Sequence, residues 1–160
     1  MLDIASISAV VAAGGVIVGV VFAVLELRNL VKTRQTDLAL RLYSHFGSKE
    51  FLEARRTVMD LEFRDYSDYV KKYGQFGRVE AVSQVCMFFQ GMGVLLHRKL
   101  LNISLIDELF SPISVRIIWE KMEPVIEGWR RQFNEPRTLE WFENLYNELQ
   151  RREQVLQAHP

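Results

Sequence analysis

The sequence predicts an all-α protein, with an N-terminal transmembrane helix that continues into a stalk and is followed by a small up-and-down helical bundle. Three observations lead to this fold class. No charged residue occurs between Ile4 and Leu25. Downstream, apolar residues recur at helical spacing in about six segments, and none shows the two-residue alternation of a half-buried strand. The loops between these segments are short, which is typical of antiparallel helices in a bundle.

The uncharged run has the length of a membrane span. As a helix it rises about 33 Å, which matches a hydrocarbon core of roughly 30 Å. A signal peptide would begin with a basic segment, whereas Asp3 is the only charged residue before the run. A buried core helix would carry a polar stripe, and this run is apolar on every side. Residues 1–25 are therefore expected to form an outside tail and one transmembrane helix.

Small residues form one ridge along this span. Gly15 and Gly19 are four residues apart, and Ser8, Ala12 and Ala23 extend the same helix face. Helices in lipid gain little from hydrophobic association, so close packing through small residues is a main driving force for their contact. The ridge predicts packing against a helix of another membrane protein or against a second copy of this chain.

Basic residues follow the span and predict its orientation. Arg28, Lys32, Arg34 and Arg41 lie shortly after it, whereas only Asp3 precedes it. The positive-inside rule then places the N-terminus outside and the rest of the chain in the cytoplasm. Arg28, Lys32 and Arg34 are expected in the headgroup zone, where long basic side chains reach the interface. The predicted location is the cell membrane, with the lipid bilayer as one partner.

The membrane helix is expected to continue as a stalk to about Phe46, because neither glycine nor proline interrupts the chain between the span and Gly47. Gly47 then ends the stalk, and Ser48 is suited to cap a second helix that runs to about Glu62. Residues 26–150 are predicted to form the stalk and the cytoplasmic bundle. Residues 151–160 are predicted to be a frayed tail.

Two helices are expected in the middle of the chain. A short one begins near Tyr66 and ends at Gly74. The next, from about Arg78 to Leu101, is the most apolar helix outside the membrane, which predicts a central position in the bundle. Its several charged residues argue against a second span, because charge at bilayer depth is costly.

The last third of the chain predicts three more helices. Ser104 resembles the first residue of a capping box that opens a short helix. Pro112 is suited to the first position of a long helix that reaches Phe133, in which Pro124 should introduce a kink. Thr138 is expected to cap the last helix.

Charge and cysteine content exclude two classes of protein. The 20 basic and 20 acidic residues cancel, so the strong positive field of a nucleic-acid-binding protein is missing. The single cysteine, Cys86, excludes an internal disulfide framework. Because Cys86 falls on an apolar helix face, its expected role is core packing and not nucleophilic catalysis.

The sequence contains no recognisable catalytic or metal-binding pattern. A di-iron bundle needs Glu-x-x-His on two helices, but the three histidines are preceded at that spacing by Leu42, Val94 and Leu156. The glutamates of the later helices lie on faces opposite the apolar ones, as solvated residues do. We therefore expect no enzyme activity, no cofactor and no metal site.

Large aromatic residues concentrate in the last 45 residues, among them Trp119, Trp129 and Trp141. Such side chains are typical of a bundle core, and the alternative is an exposed docking surface. The predicted function is that of a membrane-anchored accessory or scaffold subunit. The alternatives are a tethered bundle that binds a small ligand or lipid in a pocket under Trp119 and Trp129, and an enzyme of unrecognised type.

Two segments resemble a known family. They are LELRNLVKTRQTDLALRLY at the stalk and IIWEKMEPVIEGWRRQFNEP near the end. Together with the order of span, basic helix and helical domain, they resemble an uncharacterised family of small single-pass, membrane-anchored helical proteins of bacteria and archaea, defined as a domain of unknown function. The resemblance implies the fold and membrane anchoring, and it carries no functional residues.

Overall fold

The computed structural model describes residues 4–158, with side chains from Gly14 onward. Over that range the chain is all-α and contains no strand, which confirms the predicted fold class. The helices are α1 (Ile4–Phe46), α2 (Lys49–Met59), α3 (Tyr66–Tyr73), α4 (Val79–His97), α5 (Ile103–Phe110), α6 (Pro112–Phe133) and α7 (Glu140–Ala158).

The chain divides into two compact units, residues 1–37 and residues 38–160. The first unit is formed largely by α1. All its described side chains from Gly14 to Arg34 are exposed, including the large apolar side chains of Val16, Ile17 and Phe22. Apolar side chains exposed along a whole helix are unfavourable in water and favourable in lipid.

The second unit is a helical bundle with α4 at its centre. α4 packs against α2 on one side and α7 on another, while α6 packs against α7 and α3. Val82, Val85, Phe89 and Met92 of α4 are completely buried. The central position predicted for this helix from its apolar sequence is therefore confirmed.

The last turns of α1 belong to the bundle. Ala39 is buried there, and the Phe46 ring lies 5.3 Å from the Phe51 ring and 5.5 Å from the Phe110 ring, measured between centroids. These tilted and edge-to-face arrangements are the favourable ones for aromatic pairs. The predicted uninterrupted helix from the apolar run to Phe46 is confirmed.

Local capping signals fix several helix ends close to their predicted positions. The Ser48 hydroxyl accepts a hydrogen bond of 3.2 Å from the Phe51 N–H at the start of α2. Asp65 Oδ1 accepts one of 2.9 Å from the Asp68 N–H at the start of α3. Gly74 ends α3 with a φ of 81°, a conformation that glycine adopts without steric cost.

Other caps differ from the prediction. Asn102, and not Ser104, caps α5, because Asn102 Oδ1 accepts a hydrogen bond of 2.8 Å from the Ser104 N–H. The Thr138 hydroxyl donates to the carbonyl of Glu135 and does not cap α7. At the start of α7, the side-chain oxygen of Gln90 accepts a hydrogen bond from the backbone N–H of Phe142 over 2.9 Å. A residue of α4 thus satisfies a free N–H group of α7.

Three helix ends lie elsewhere than expected. α4 ends at His97, four residues before Leu101. α2 ends at Met59, three residues before Glu62. α7 continues to Ala158, past the position from which the tail was predicted to fray. Arg152 Nε lies 2.9 Å from a carboxylate oxygen of Asp107 in α5, and this contact ties the end of α7 to the bundle. α6 runs through Pro124 as one helix, and the kink at that position stays a prediction.

Candidate functional site

The glycines of the predicted membrane ridge face open space. Apart from adjacent residues and the backbone of the helix itself, no described atom lies within 4 Å of the position that a Cβ would take on Gly15 or Gly19, and Ala23 is exposed on the same helix. The side chains of Ser8 and Ala12, the other two ridge positions, lie outside the described residues. Within the chain as described, nothing packs against this face, so the chain itself gives no reason for the two glycines.

Three other glycines have such a reason. A Cβ on Gly93 would overlap the backbone of Trp141, one on Gly128 would overlap the ring of Tyr66, and one on Gly77 would overlap Tyr73. In these places a neighbouring part of the bundle approaches so closely that only glycine fits. The contrast separates glycines required by the fold from glycines that the fold leaves uncovered.

The basic residues after the apolar run are all exposed. Arg28, Lys32 and Arg34 lie among the exposed apolar residues Leu27 and Val31. Long basic side chains in such surroundings can pass along the apolar surface and keep their charges in water. This mixture is typical of the headgroup region of a bilayer.

Two of the described helices are long and apolar enough to cross a membrane, namely α1 over Gly14–Phe46 and α4 over Val79–His97. α4 meets the criterion as the central helix of the bundle, where many of its side chains are buried. By length and composition, α1 fits both a membrane span and an N-terminal signal sequence. The apolar character of α1 and that of α4 therefore have different explanations, although the two helices are similar in composition.

The three tryptophans occupy different environments. Trp119 is only 3% exposed and contacts the rings of Phe142 and Tyr146, so it belongs to the core and cannot act as a docking residue. Trp129 and Trp141 are partly exposed. The pocket predicted under Trp119 and Trp129 stays a prediction. Trp119 is buried in the bundle, and Trp129 lines a surface hollow beside Cys86 that Trp119 does not line.

Arg130 forms the most extensive ionic contacts that we find in the bundle. Its Nη1 lies 2.7 Å from Glu127, its Nη2 lies 2.8 Å from Glu143, and its Nε donates a hydrogen bond of 3.0 Å to the Thr138 carbonyl. The Arg130 side chain is 12% exposed, whereas both glutamates are about 40% exposed. The arginine therefore connects α6, the loop after it and α7, which is a structural role.

Cys86 is buried in the core of the bundle. Burial raises the pKa of its thiol to about 12. At neutral pH the thiol is protonated, and a protonated thiol is neither a nucleophile nor a metal ligand. Cys86 accordingly acts as a small apolar side chain in this position.

The histidines serve in aromatic contacts. The His45 ring lies 5.6 Å from the Phe88 ring, and the His97 ring lies 4.0 Å from Trp141. His159 is outside the described residues. Among the side chains that the structure describes, no group of three histidine, cysteine or acidic residues is placed to hold a metal ion.

Sequence reasoning missed the contacts between distant segments. The Gln90 cap of α7 and the Arg130 contacts join residues that no short-range pattern connects. A further feature that the sequence analysis missed is a cavity of about 310 Å³ where α4 and α7 meet, lined in part by His97, Trp141 and Asn144. The only local sign was Gly93, whose lack of a side chain lets the two helices approach.

Comparison with known proteins gives one family. The family model described as a domain of unknown function, DUF4760, matches residues 13–149, which is well over half of the chain. No curated protein and no solved structure matches the chain. Functional inference therefore depends on the geometry of the chain's own residues.

Proposed function

The chain belongs to the DUF4760 family, a domain of unknown function, and from its own geometry we propose that it is an accessory or scaffold subunit anchored in the cell membrane by one helix. The N-terminus lies outside and the helical bundle in the cytoplasm. The protein works by packing its membrane helix, and docking its bundle, against a partner membrane protein or a second copy of itself.

One observation carries this proposal, namely that Gly15 and Gly19 form an uncovered face on a helix of exposed apolar residues. A lone span that contacts only lipid has no need of glycine, because leucine is as apolar and a better helix former. Glycine becomes useful when another backbone approaches closely, which is the usual basis of helix association in lipid. The two glycines therefore support a helix partner.

The membrane orientation rests on the charges beside the span. Basic side chains at Arg28, Lys32 and Arg34 are exposed and follow the apolar segment directly. By the positive-inside rule, this side of the membrane is the cytoplasm. A signal sequence would be cleaved after the apolar segment, but here the helix continues without a break through Phe46 into the bundle.

We also propose that the protein is not an enzyme. The side chains whose chemistry was considered have structural contacts, with Cys86 buried in the core and Arg130 joined to two glutamates. Metal and cofactor analysis of the protein purified from its own membranes tests this proposal. A stoichiometric metal ion or organic cofactor would contradict it.

The central experiment replaces Gly15 and Gly19 together by leucine in the full chain. In mild detergent, the parent protein should copurify with a membrane protein or form a dimer, and the double variant should lose that association. Gly14→Leu is the matched control, because Gly14 is equally uncovered but points away from the ridge. The control should keep the association.

Membrane insertion and bundle stability should be unchanged in both variants, since all three glycines belong to the first unit and the bundle is formed by the second. The scaffold proposal fails if the double variant retains every association of the parent. It also fails if the parent shows neither a partner nor a dimer.

The alternative function is a tethered bundle that binds a small ligand. The observation in its favour is the cavity between α4 and α7, which is of the size of the smaller ligand pockets in proteins. The two functions are compatible, because the cavity and the glycine face lie in different units of the chain.

A further inference from the structure

The cavity between α4 and α7 has a volume of about 310 Å³. Its apolar lining comes from Leu96, Ile103 and the fully buried Leu145. Trp141 also lines it, and its ring lies 4.0 Å from the His97 ring, measured between centroids. A hollow lined by apolar and aromatic residues with a few polar groups is typical of sites for small organic ligands.

The hollow depends on Gly93, which is buried and lines it. Any side chain at this position would overlap the Trp141 backbone. A neighbouring contact, the hydrogen bond from the Phe142 N–H to Gln90, holds α7 against α4 at the same level. The two helices are thus fixed beside the cavity, which gives it a preformed shape.

Three polar side chains complete the lining, namely His97, Asn144 and Glu148. Glu148 Oε1 already lies 2.7 Å from Arg151 Nη1, so its charge is balanced within the chain. His97 rests against the Trp141 ring, with 4.0 Å between the ring centroids. With the carboxylate balanced, a charged ligand gains little from the site, and a neutral ligand loses little on leaving water.

Asn144 is the residue best suited to orient a neutral ligand. Its amide offers both a hydrogen-bond donor and an acceptor on one short side chain. It is exposed and has room to pair with a ligand at the cavity mouth. A ligand that presents an acceptor and a donor side by side would form two hydrogen bonds with it.

We propose that this cavity binds a small, neutral, planar aromatic compound with a hydrogen-bond donor and acceptor on one edge, as in a primary aromatic amide. The ring packs in the apolar interior beside Trp141, and the polar edge pairs with Asn144. The proposal concerns the bundle alone and does not rest on the scaffold function of the membrane helix.

The test uses the full chain in detergent at about pH 8, where an ordinary histidine is neutral. Four probes share one ring and differ at the edge: benzamide, N,N-dimethylbenzamide, benzoate and benzamidine. Binding is followed by the three indole N–H signals in nitrogen-15 NMR, with the Trp141 signal assigned from Trp141→Phe. Benzamide should shift the Trp141 signal and bind about fivefold or more tightly than each other probe, because each of those loses a hydrogen bond or adds a charge.

Asn144→Ala should weaken benzamide binding about fivefold or more. Asn147→Ala is the matched control, since Asn147 is on the same helix and does not line the cavity. It should leave binding unchanged. Ile103→Phe fills the cavity and should abolish the shift of the Trp141 signal, with unchanged helix content showing that the variant is folded.

Several results would overturn the proposal. They are the absence of any benzamide-induced shift at Trp141, equal or tighter binding of benzoate or benzamidine, equal binding of N,N-dimethylbenzamide, and equal losses in the Asn144 and Asn147 variants. The glycine variants of the membrane helix should bind benzamide as the parent does. The two proposals can therefore fail separately.

Discussion

Neighbouring residues of the same type have different roles in this bundle, as Arg130 and Arg131 show. Arg130 is mostly buried and contacts Glu127, Glu143 and the Thr138 carbonyl, while Arg131 is exposed. The position on the helix decides the role, because a shift of one residue rotates a side chain by about 100° around the helix axis.

Arg130→Met should lower the free energy of unfolding by about 1–2 kcal/mol. The loss is moderate because Glu127 and Glu143 are partly exposed and can be hydrated once the arginine is gone. The Thr138 carbonyl loses its donor as well. Urea unfolding of the full chain in mild detergent, followed by circular dichroism, measures the change.

Arg131→Met is the control, and it should change stability by less than about 0.5 kcal/mol. Equal effects of the two substitutions would show that the contacts of Arg130 contribute no stability. A loss in the Arg131 variant alone would reverse the assignment of the two residues.

Cys86 makes the stability of the bundle depend on alkaline pH. Its pKa is raised by burial from 9.0 to about 12 in the folded protein. Below about pH 9 the thiol is protonated in both states, so its full contribution to stability is present. As the pH rises toward 12, the unfolded chain releases the proton while the folded chain keeps it, and unfolding becomes more favourable.

Cys86→Ala removes this dependence. Between pH 9 and pH 10, the free energy of unfolding of the parent should fall by about 1 kcal/mol relative to that of the variant. Comparing the two proteins cancels the lysines and tyrosines that titrate in the same range. Parallel pH profiles would show that the Cys86 thiol titrates normally in the folded protein.

At the scale of helices, the crossing of α4 and α7 depends on Gly93. A methyl group at this position would overlap the backbone of Trp141, which cannot move without shifting α7. Gly93→Ala should therefore destabilise the bundle by about 1–3 kcal/mol. Thermal unfolding of the full chain in detergent measures the loss.

Gly91 provides the matched control on the same helix. Apart from adjacent residues and the backbone of α4 itself, no described atom lies within 4 Å of the position that an alanine methyl group would take there, and alanine favours helix more than glycine does. Gly91→Ala should be neutral or stabilising by up to about 1 kcal/mol. Similar losses in both variants would mean that α4 tolerates no methyl group for a reason other than its contact with α7.

The helices could be predicted from the sequence because the residues that begin and end them act locally. Ser48, Asp65 and Gly74 act within a few residues of the helix ends that they fix. The start of α7 could not be predicted in the same way, because its cap is Gln90, 52 residues away. Capping from another helix depends on packing that exists only after the chain has folded.

The candidate sites follow the same division. The ridge with Gly15 and Gly19 could be read from spacing alone, since a helix brings such residues to one face. The cavity near Trp141 could not, because α4 and α7 must first pack to enclose it. Composition identified the cluster of aromatic residues near the end of the chain. It could not show that Trp119 is the buried tryptophan of this cluster.

At the scale of the whole molecule, the chain joins two units with opposite solvent preferences. From Gly14 onward the first unit exposes apolar side chains along a helix, whereas the second unit buries a large set of them in a bundle. Under the proposed membrane anchoring, the same kind of apolar residue contributes to insertion in one unit and to folding in the other. This division leads to a prediction about which parts of the chain a water-soluble reagent can reach.

Cysteine labelling tests the membrane topology with little background, because the native Cys86 is buried and its thiol is protonated at neutral pH. A reporter cysteine is placed in the exposed part of α7 by Gln154→Cys, and a second is placed before the span by Leu2→Cys. With a membrane-impermeant maleimide, the Leu2→Cys protein should be labelled in intact cells, and the Gln154→Cys protein only in inverted vesicles. The reverse pattern would mean that the bundle is outside, and labelling of both proteins in intact cells would mean that the apolar helix does not hold a cytoplasmic bundle at the membrane.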